Sequence, residues 1–236
     1  MSTVALITAR GLLGRRRALL LLPLPLLLIG LALTVRAYDV SPDQWGQAVI
    51  VGLGFAVMLP VIALIVGTGV LGSEVDDGTL VHILTKPLPR RDIILAKFGV
   101  AVVVTALTTA LPLFVVGLLA GSAELGTALA VAAVAGSIAY SALFVLLSLL
   151  TRRPVLLGLV YILVWEGLLG NFLSGTRVLS IQQYVITIAD KISPTAILTS
   201  QVGLTTAIVM SAVFAVVCTA VAINRLGSFS LAGETS

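Results

Sequence analysis

Residues 93–150 read IILAKFGVAVVVTALTTALPLFVVGLLAG, then SA, then ELGTALAVAAVAGSIAYSALFVLLSLL, and only Lys97 and Glu124 carry charge in that stretch. Each half exceeds the ~20 apolar residues that an α-helix needs to cross the ~30 Å hydrocarbon core of a bilayer. Gly121-Ser122 between them is a turn signal. The stretch therefore predicts two antiparallel transmembrane helices, about 93–121 and 124–150. Gly117 and Gly121 form one small-residue pair, and Ala128, Ala132 and Gly136 continue the pattern on the second helix; such residues let helices approach closely. Tyr140, Ser137, Ser141 and Ser148 line one side of that helix, where they either touch a substrate or bond across helices.

The rest of the chain follows the same physics. Hydrophobic residues make up 59% of the chain and charged residues 10%. A soluble domain has too little interior for that much apolar surface. Strict two-residue alternation is absent, which argues against an outer-membrane barrel. Further spans are expected at about 18–35, 47–72, 154–173 and 203–224. Pro23 and Pro25 should bend the first, and Trp45 reads as an interfacial anchor for the second. The fold class is thus all-α: a polytopic membrane protein of six helices in one domain, residues 1–236, with no internal repeat. Residues 1–17 are basic and fit either an interfacial helix or a loose tail. No small-residue cleavage site follows Arg15, Arg16 and Arg17 at the usual distance, so the first hydrophobic stretch reads as a retained helix. Cys218 is the single cysteine and lies in an apolar run, so it is read as a packing residue; neither a disulfide within the chain nor a cysteine metal cluster is available.

The basic residues fix an orientation. Arg10, Arg15, Arg16, Arg17, Lys86, Arg90, Arg91, Lys97, Arg152, Arg153 and Arg225 fall on one side, and Arg36, Arg177 and Lys191 on the other. The positive-inside rule then places both termini in the cytoplasm. Because these charges sit between spans, the net charge of +4 gives no reason to expect nucleic acid as a partner. On the outer side, Val178, Ile181, Val185, Ile188 and Ile192 recur at helical spacing. Arg177, Gln183, Thr187, Asp190 and Lys191 take other positions. This predicts an amphipathic helix, stopped at Ser193-Pro194, that rests in the interface or re-enters the bilayer.

The first cytoplasmic loop, Gly72 to Lys97, is too patterned for a plain connector. Glu74, Asp76 and Asp77 precede Gly78 and Thr79; Leu80, Ile83 and Leu84 form a short apolar face; Pro87 and Pro89 end it. Arg90 and Arg91 mark the membrane boundary, with Asp92 in the first turn of the next span. A short amphipathic helix across the end of the bundle has an apolar face for a partner's groove and charges to fix register. The bland alternative is an interfacial helix that only anchors the bundle. His82, the sole histidine, cannot make a metal site alone.

Glu74, Gly78-Thr79-Leu80, Leu84, Pro87, Arg90 and Lys97 together resemble the first cytoplasmic loop of ABC-2 type transporter permeases, whose pattern is roughly E-x-x-x-G-T-L, a Leu, R-P-x-x-R and a Lys opening the third span. Lys86 departs from it, keeping the charge of the usual Arg but losing its planar fork. The layout of the chain is similar to the short permeases of the copper-maturation and antibiotic-export type. The resemblance implies that Glu74, Asp77, Gly78, Thr79, Leu80, Leu84, Pro87, Arg90 and Arg91 form a coupling helix docking into a separate cytoplasmic ATPase. It further implies two ATPase copies, a second permease chain (a homodimer by expectation), and ATP with Mg held by that partner. Export and a cell-membrane location follow on the same grounds. The chain itself has no Gly-x-x-x-x-Gly-Lys-Ser/Thr loop, so no enzyme activity and no cofactor are expected in it.

Glu166 lies about thirteen residues beyond Arg153, or ~20 Å at the helical rise. An acid at that depth faces the bundle or water. One reading makes it, with Asn171, part of the transport path or an outer gate. The other makes it a structural acid that serves amides freed where the helix breaks at Gly167 and Gly170. Competing classes fit less well. A membrane enzyme would need a His-Asp-Asp cluster, an HExxH or a Ser/His dyad in the spans. A secondary transporter or channel usually shows repeats and several buried charges. A non-transporting scaffold stays open. The substrate is unspecified; a path of Leu, Val, Ala and Gly suits lipids, hydrophobic drugs or extruded chains.

Overall fold

A computed structural model describes residues 19–76, 90–170 and 174–228. These are helical apart from short turns, with no strand among the described residues. Helix α1 is Pro23–Ala37. Helix α2 runs in three continuous pieces, Pro42–Gly46, a π-helical Gln47–Met58, and Leu59–Asp76. Helix α3 is Arg90–Leu119 and α4 is Ala123–Leu150. Helix α5 joins an α-helical Pro154–Val160 to a π-helical Tyr161–Leu169. A 3₁₀ segment, Ser174–Leu179, precedes α6, Ile181–Ile192, and α7 is Leu204–Ser228.

Among the described residues, five helices are long and apolar enough to cross a membrane: α1 with the turn before it, α2, α3, α4 and α7. Of the expected span at 154–173, the described residues form one apolar helix from Pro154 that continues to Gly170, and residues 171–173 lie outside the described residues. Its second half is wound wider. The Gly170 N–H bonds to Trp165 O, five residues back, as Leu59 N–H bonds to Gly54 O in α2. The π stretch of α2 gives way to α-helix beside Pro60, which has no N–H to offer the ladder.

Helix α4 is the hub, packing on α2, α3, α6 and α7. Two glycines let α3 and α4 touch backbone to backbone: a Cβ on Gly117 would lie 2.4 Å from Gly126 Cα. The turn between these helices is the expected one. Gly121 adopts φ +126, and the Ser122 hydroxyl caps α4 by accepting from Leu125 N–H at 3.0 Å. Arg36 Nη1 donates to Leu119 O at 3.2 Å and ties α1 to this corner. At the opposite end, Lys97 is 1% exposed and donates from Nζ to Val70 O at 2.8 Å, pinning α3 to α2. Ser137 meets Thr109 at 3.5 Å across α3 and α4, whereas Ser148 donates to Val145 O of its own helix and the buried Ser141 hydroxyl meets no partner among the described residues. The outer faces of α1 and α7 expose Leu20, Leu26, Leu27, Val209, Val216 and Val217, as lipid-facing helices do.

Two local expectations change. Trp45 is buried rather than interfacial, because the helix already begins at Pro42 and Ile197 packs on neighbouring Gly46. Helix α6 ends before Ser193, as expected, but Gln183 and Thr187 of its supposed polar side are buried with Ile181 and Val185. Their surroundings explain this. A Cβ on Gly136, in the middle of α4, would meet Val185 of α6 at 2.6 Å and Leu59 of α2 at 2.7 Å. Helix α6 is therefore packed into the bundle against α4, α7 and the π-helical stretch of α2.

Candidate functional site

Glu166 is the focus of the polar groups in this core. It is 2% exposed and lies in the π-helical half of α5. Its Oε1 accepts from Tyr140 Oη of α4 at 3.2 Å, Tyr161 Oη of α5 at 3.0 Å and the Ile181 N–H of α6 at 3.0 Å. Its Oε2 accepts from the Ser180 hydroxyl. One carboxyl group thus joins α4, α5 and the first turn of α6.

Helix α6 needs such an acceptor. The first amides of an α-helix have no partners within it, and lipid offers none. Ser180 is the N-cap, accepting from Gln183 N–H at 3.3 Å, while Glu166 takes the Ile181 N–H. The depth is set by Tyr140, seventeen residues after the start of α4, or ~26 Å along a helix that is ~42 Å long. Further bonds hold the approach to α6: Trp165 Nε1 donates to Leu179 O at 3.2 Å, and Tyr184 Oη donates to Val178 O. Around the polar centre, Tyr140 stacks on Phe144 at 6.0 Å between ring centroids, and Tyr161 meets Phe144 edge-on at 6.5 Å. Gly158 leaves space for Leu64, since a Cβ there would lie 2.2 Å from Leu64 Cδ1.

Tyr161, Ser180 and the Ile181 N–H had no place in the sequence reading of this site. The sequence carries a stripe of Gly158, Ile162, Glu166 and Gly170 spaced by fours, all four buried, which puts Glu166 on the packed face of α5 without identifying those partners. Asn171 lies outside the described residues. So do Asp77, Gly78, Thr79, Leu80, Leu84 and Pro87 of the expected coupling helix. Glu74 falls in the last turns of α2, and Arg90 opens α3. Arg91 is exposed and lies 3.6 Å from Asp92. The described flanks of that loop and Glu166 occupy different levels of the bundle, with the Lys97–Val70 bond beside the flanks.

Comparison with known families agrees with a helical membrane bundle. Residues 16–169 match the family model described as ABC-2 family transporter protein. No curated protein matches the chain. The matched stretch takes in α1 through the Glu166-bearing end of α5, well over half the chain, and this multi-pass membrane protein belongs to the ABC-2 family of transporters.

Proposed function

We propose that the chain is the permease subunit of an ATP-binding-cassette exporter in the cell membrane. It works as a homodimer with two copies of a separate cytoplasmic ATPase, which hold ATP and Mg, and it performs no chemistry itself. Both termini face the cytoplasm, on the strength of the basic residues gathered at the Arg90, Arg152 and Arg225 end of the bundle. The segment Glu74–Lys97 is the coupling helix with its flanks. The observation that carries the reading is the family match across residues 16–169, which includes this loop. The Lys97–Val70 bond supports it, since a push on the loop then moves α2 and α3 as a pair.

Midway along the bundle, α5 and α6 act as two half-helices that complete the sixth crossing between them. Helix α6 lies beside the middle of α4, where Glu166 of α5 accepts from its first amide. Glu166 is the latch between the halves and serves as a gate in the transport path. The motion that opens the path separates α6 from α5 at this carboxyl.

The test is co-purification of the tagged full chain, in mild detergent, with an ATPase bearing a phosphate loop. Gly78→Pro and Glu74→Arg should abolish that association while leaving the permease folded. Wild-type levels of ATPase on both variants would sink the coupling-helix assignment.

A further inference from the structure

We propose that Tyr161 is a positioning residue. Its hydroxyl holds the π-helical register of α5, and that register aims Glu166 at the first turn of α6. The inference rests on the gate reading of Glu166 and names what sets the gate's position.

The geometry requires the wider winding. In an α-helix, residues five apart sit about 140° around the axis from one another. Tyr161 and Glu166 are five apart, yet Tyr161 Oη lies 3.0 Å from Glu166 Oε1. A π-helix closes its hydrogen bonds over five residues and brings such pairs onto one face. The Gly170 N–H to Trp165 O bond shows the same five-residue closure at the end of the stretch. The side-chain bond and the backbone register therefore depend on one another.

Burial follows the same logic. Gly158, Ile162, Glu166 and Gly170 are buried at intervals of four. An unbroken α-helix would carry that stripe through about 120° from first to last. Glu166 would then swing away from Ser180 and Ile181 toward the side where Leu163 and Leu168 are exposed. With an α-helical Pro154–Val160 followed by a π-helical Tyr161–Leu169, the two drifts oppose and the stripe stays in line. The Tyr161 hydroxyl is the side-chain tie that holds Glu166 to this register from within α5. Without it, relaxation to α-helix turns the acid off α6.

Deletion of Leu163, which is 66% exposed, isolates the register. It shortens the Tyr161–Glu166 spacing to four and converts the stripe to intervals of four, three and four, which an ordinary α-helix keeps on one face. The experiment measures amide hydrogen exchange over residues 181–187 of the full chain in lipid nanodiscs. Tyr161→Phe should speed exchange there about tenfold, the loss expected for one hydrogen bond's worth of protection. Combining Tyr161→Phe with deletion of Leu163 should restore wild-type protection, because the α-helical register no longer needs the hydroxyl. Wild-type exchange in Tyr161→Phe would overturn the proposal. So would failure of the deletion to rescue it while the deletion alone keeps the protein folded, since that result makes the hydroxyl a simple donor. If the deletion alone unfolds the bundle, inserting one residue after Leu163 in the Tyr161→Phe background must leave exchange fast, and protection there would equally overturn it. No ATPase enters this measurement, so failure of the transporter reading in co-purification remains distinct from failure here.

Discussion

Replacing Glu166 by alanine should cost more stability than any other single truncation in α5. Three hydroxyls and one backbone amide converge on its carboxyl. Tyr140 and Ser180 are almost fully buried, so water cannot readily replace the lost acceptor. At about 1 kcal/mol per stranded donor, the low end for buried groups, the loss is about 4 kcal/mol. For a chain of this size that corresponds to a fall in Tm of roughly 8–16 °C. Glu166→Gln should behave differently, because three of the four donors share Oε1 and only Ser180 uses Oε2. The glutamine oxygen keeps the three. Its amide nitrogen then faces the Ser180 hydroxyl, which turns to accept. The cost falls to about 1 kcal/mol, or roughly 2–4 °C. Thermal unfolding followed by intrinsic fluorescence in nanodiscs reads both variants, and Trp165 reports locally through its bond to Leu179. Equal shifts for Ala and Gln, or a fall below about 3 °C for Ala, would refute the acceptor count.

The remaining expectations test the packing that holds this site. Gly117→Ala must push apart the α3 and α4 backbones, which its new Cβ would otherwise meet at 2.4 Å, so Tm should fall by roughly 4–10 °C while Gly30→Ala, with nothing within 4 Å, leaves it unchanged or slightly higher. Gly136→Ala meets only the ends of Val185 and Leu59, so its loss should be smaller than that of Gly117→Ala and should show as faster hydrogen exchange in α6. Lys97→Met removes the Nζ bond to Val70 O and should cost about 1–3 kcal/mol, read as lower Tm and weaker retention of the ATPase.

Much of the helical layout was legible because hydropathy and charge counting address the properties a bilayer tests. The α3–α4 hairpin is the clearest case: Gly121, Ser122 and the small residues at 117, 128, 132 and 136 sit where turn chemistry and close packing require them. Residues 154–170 show what such counting omits. Hydropathy counts apolar residues but is blind to winding, so the π-helical half of α5 was not foreseen. Trp45 was misplaced because an aromatic at a helix start reads as interfacial until a distant side chain, Ile197, is known to cover its neighbourhood. Counting from Arg153 placed Glu166 deep within the helices, and it is buried there, bonded to Tyr140 near the middle of α4. Its partners Tyr140 and Ser180 were not readable, because they lie 26 and 14 residues away and meet it only through tertiary packing.

The two readings of Glu166 that the sequence left open, structural acid and gate, are compatible with one geometry. A helix that starts beside the middle of α4 has amides to satisfy where no water competes. An acid on the end of α5 supplies an acceptor, and Ser180 supplies the cap. The group that makes a buried helix start tolerable is therefore also the group whose displacement would release it. A purely apolar contact between α5 and α6 would slide without a defined threshold. A carboxyl gripping four donors lets go only when several bonds break together, so the proposed opening would be all-or-none. Under the proposed function, that discreteness is what a gate would require. A structural role for Glu166 is thus the condition for a gating role rather than its rival.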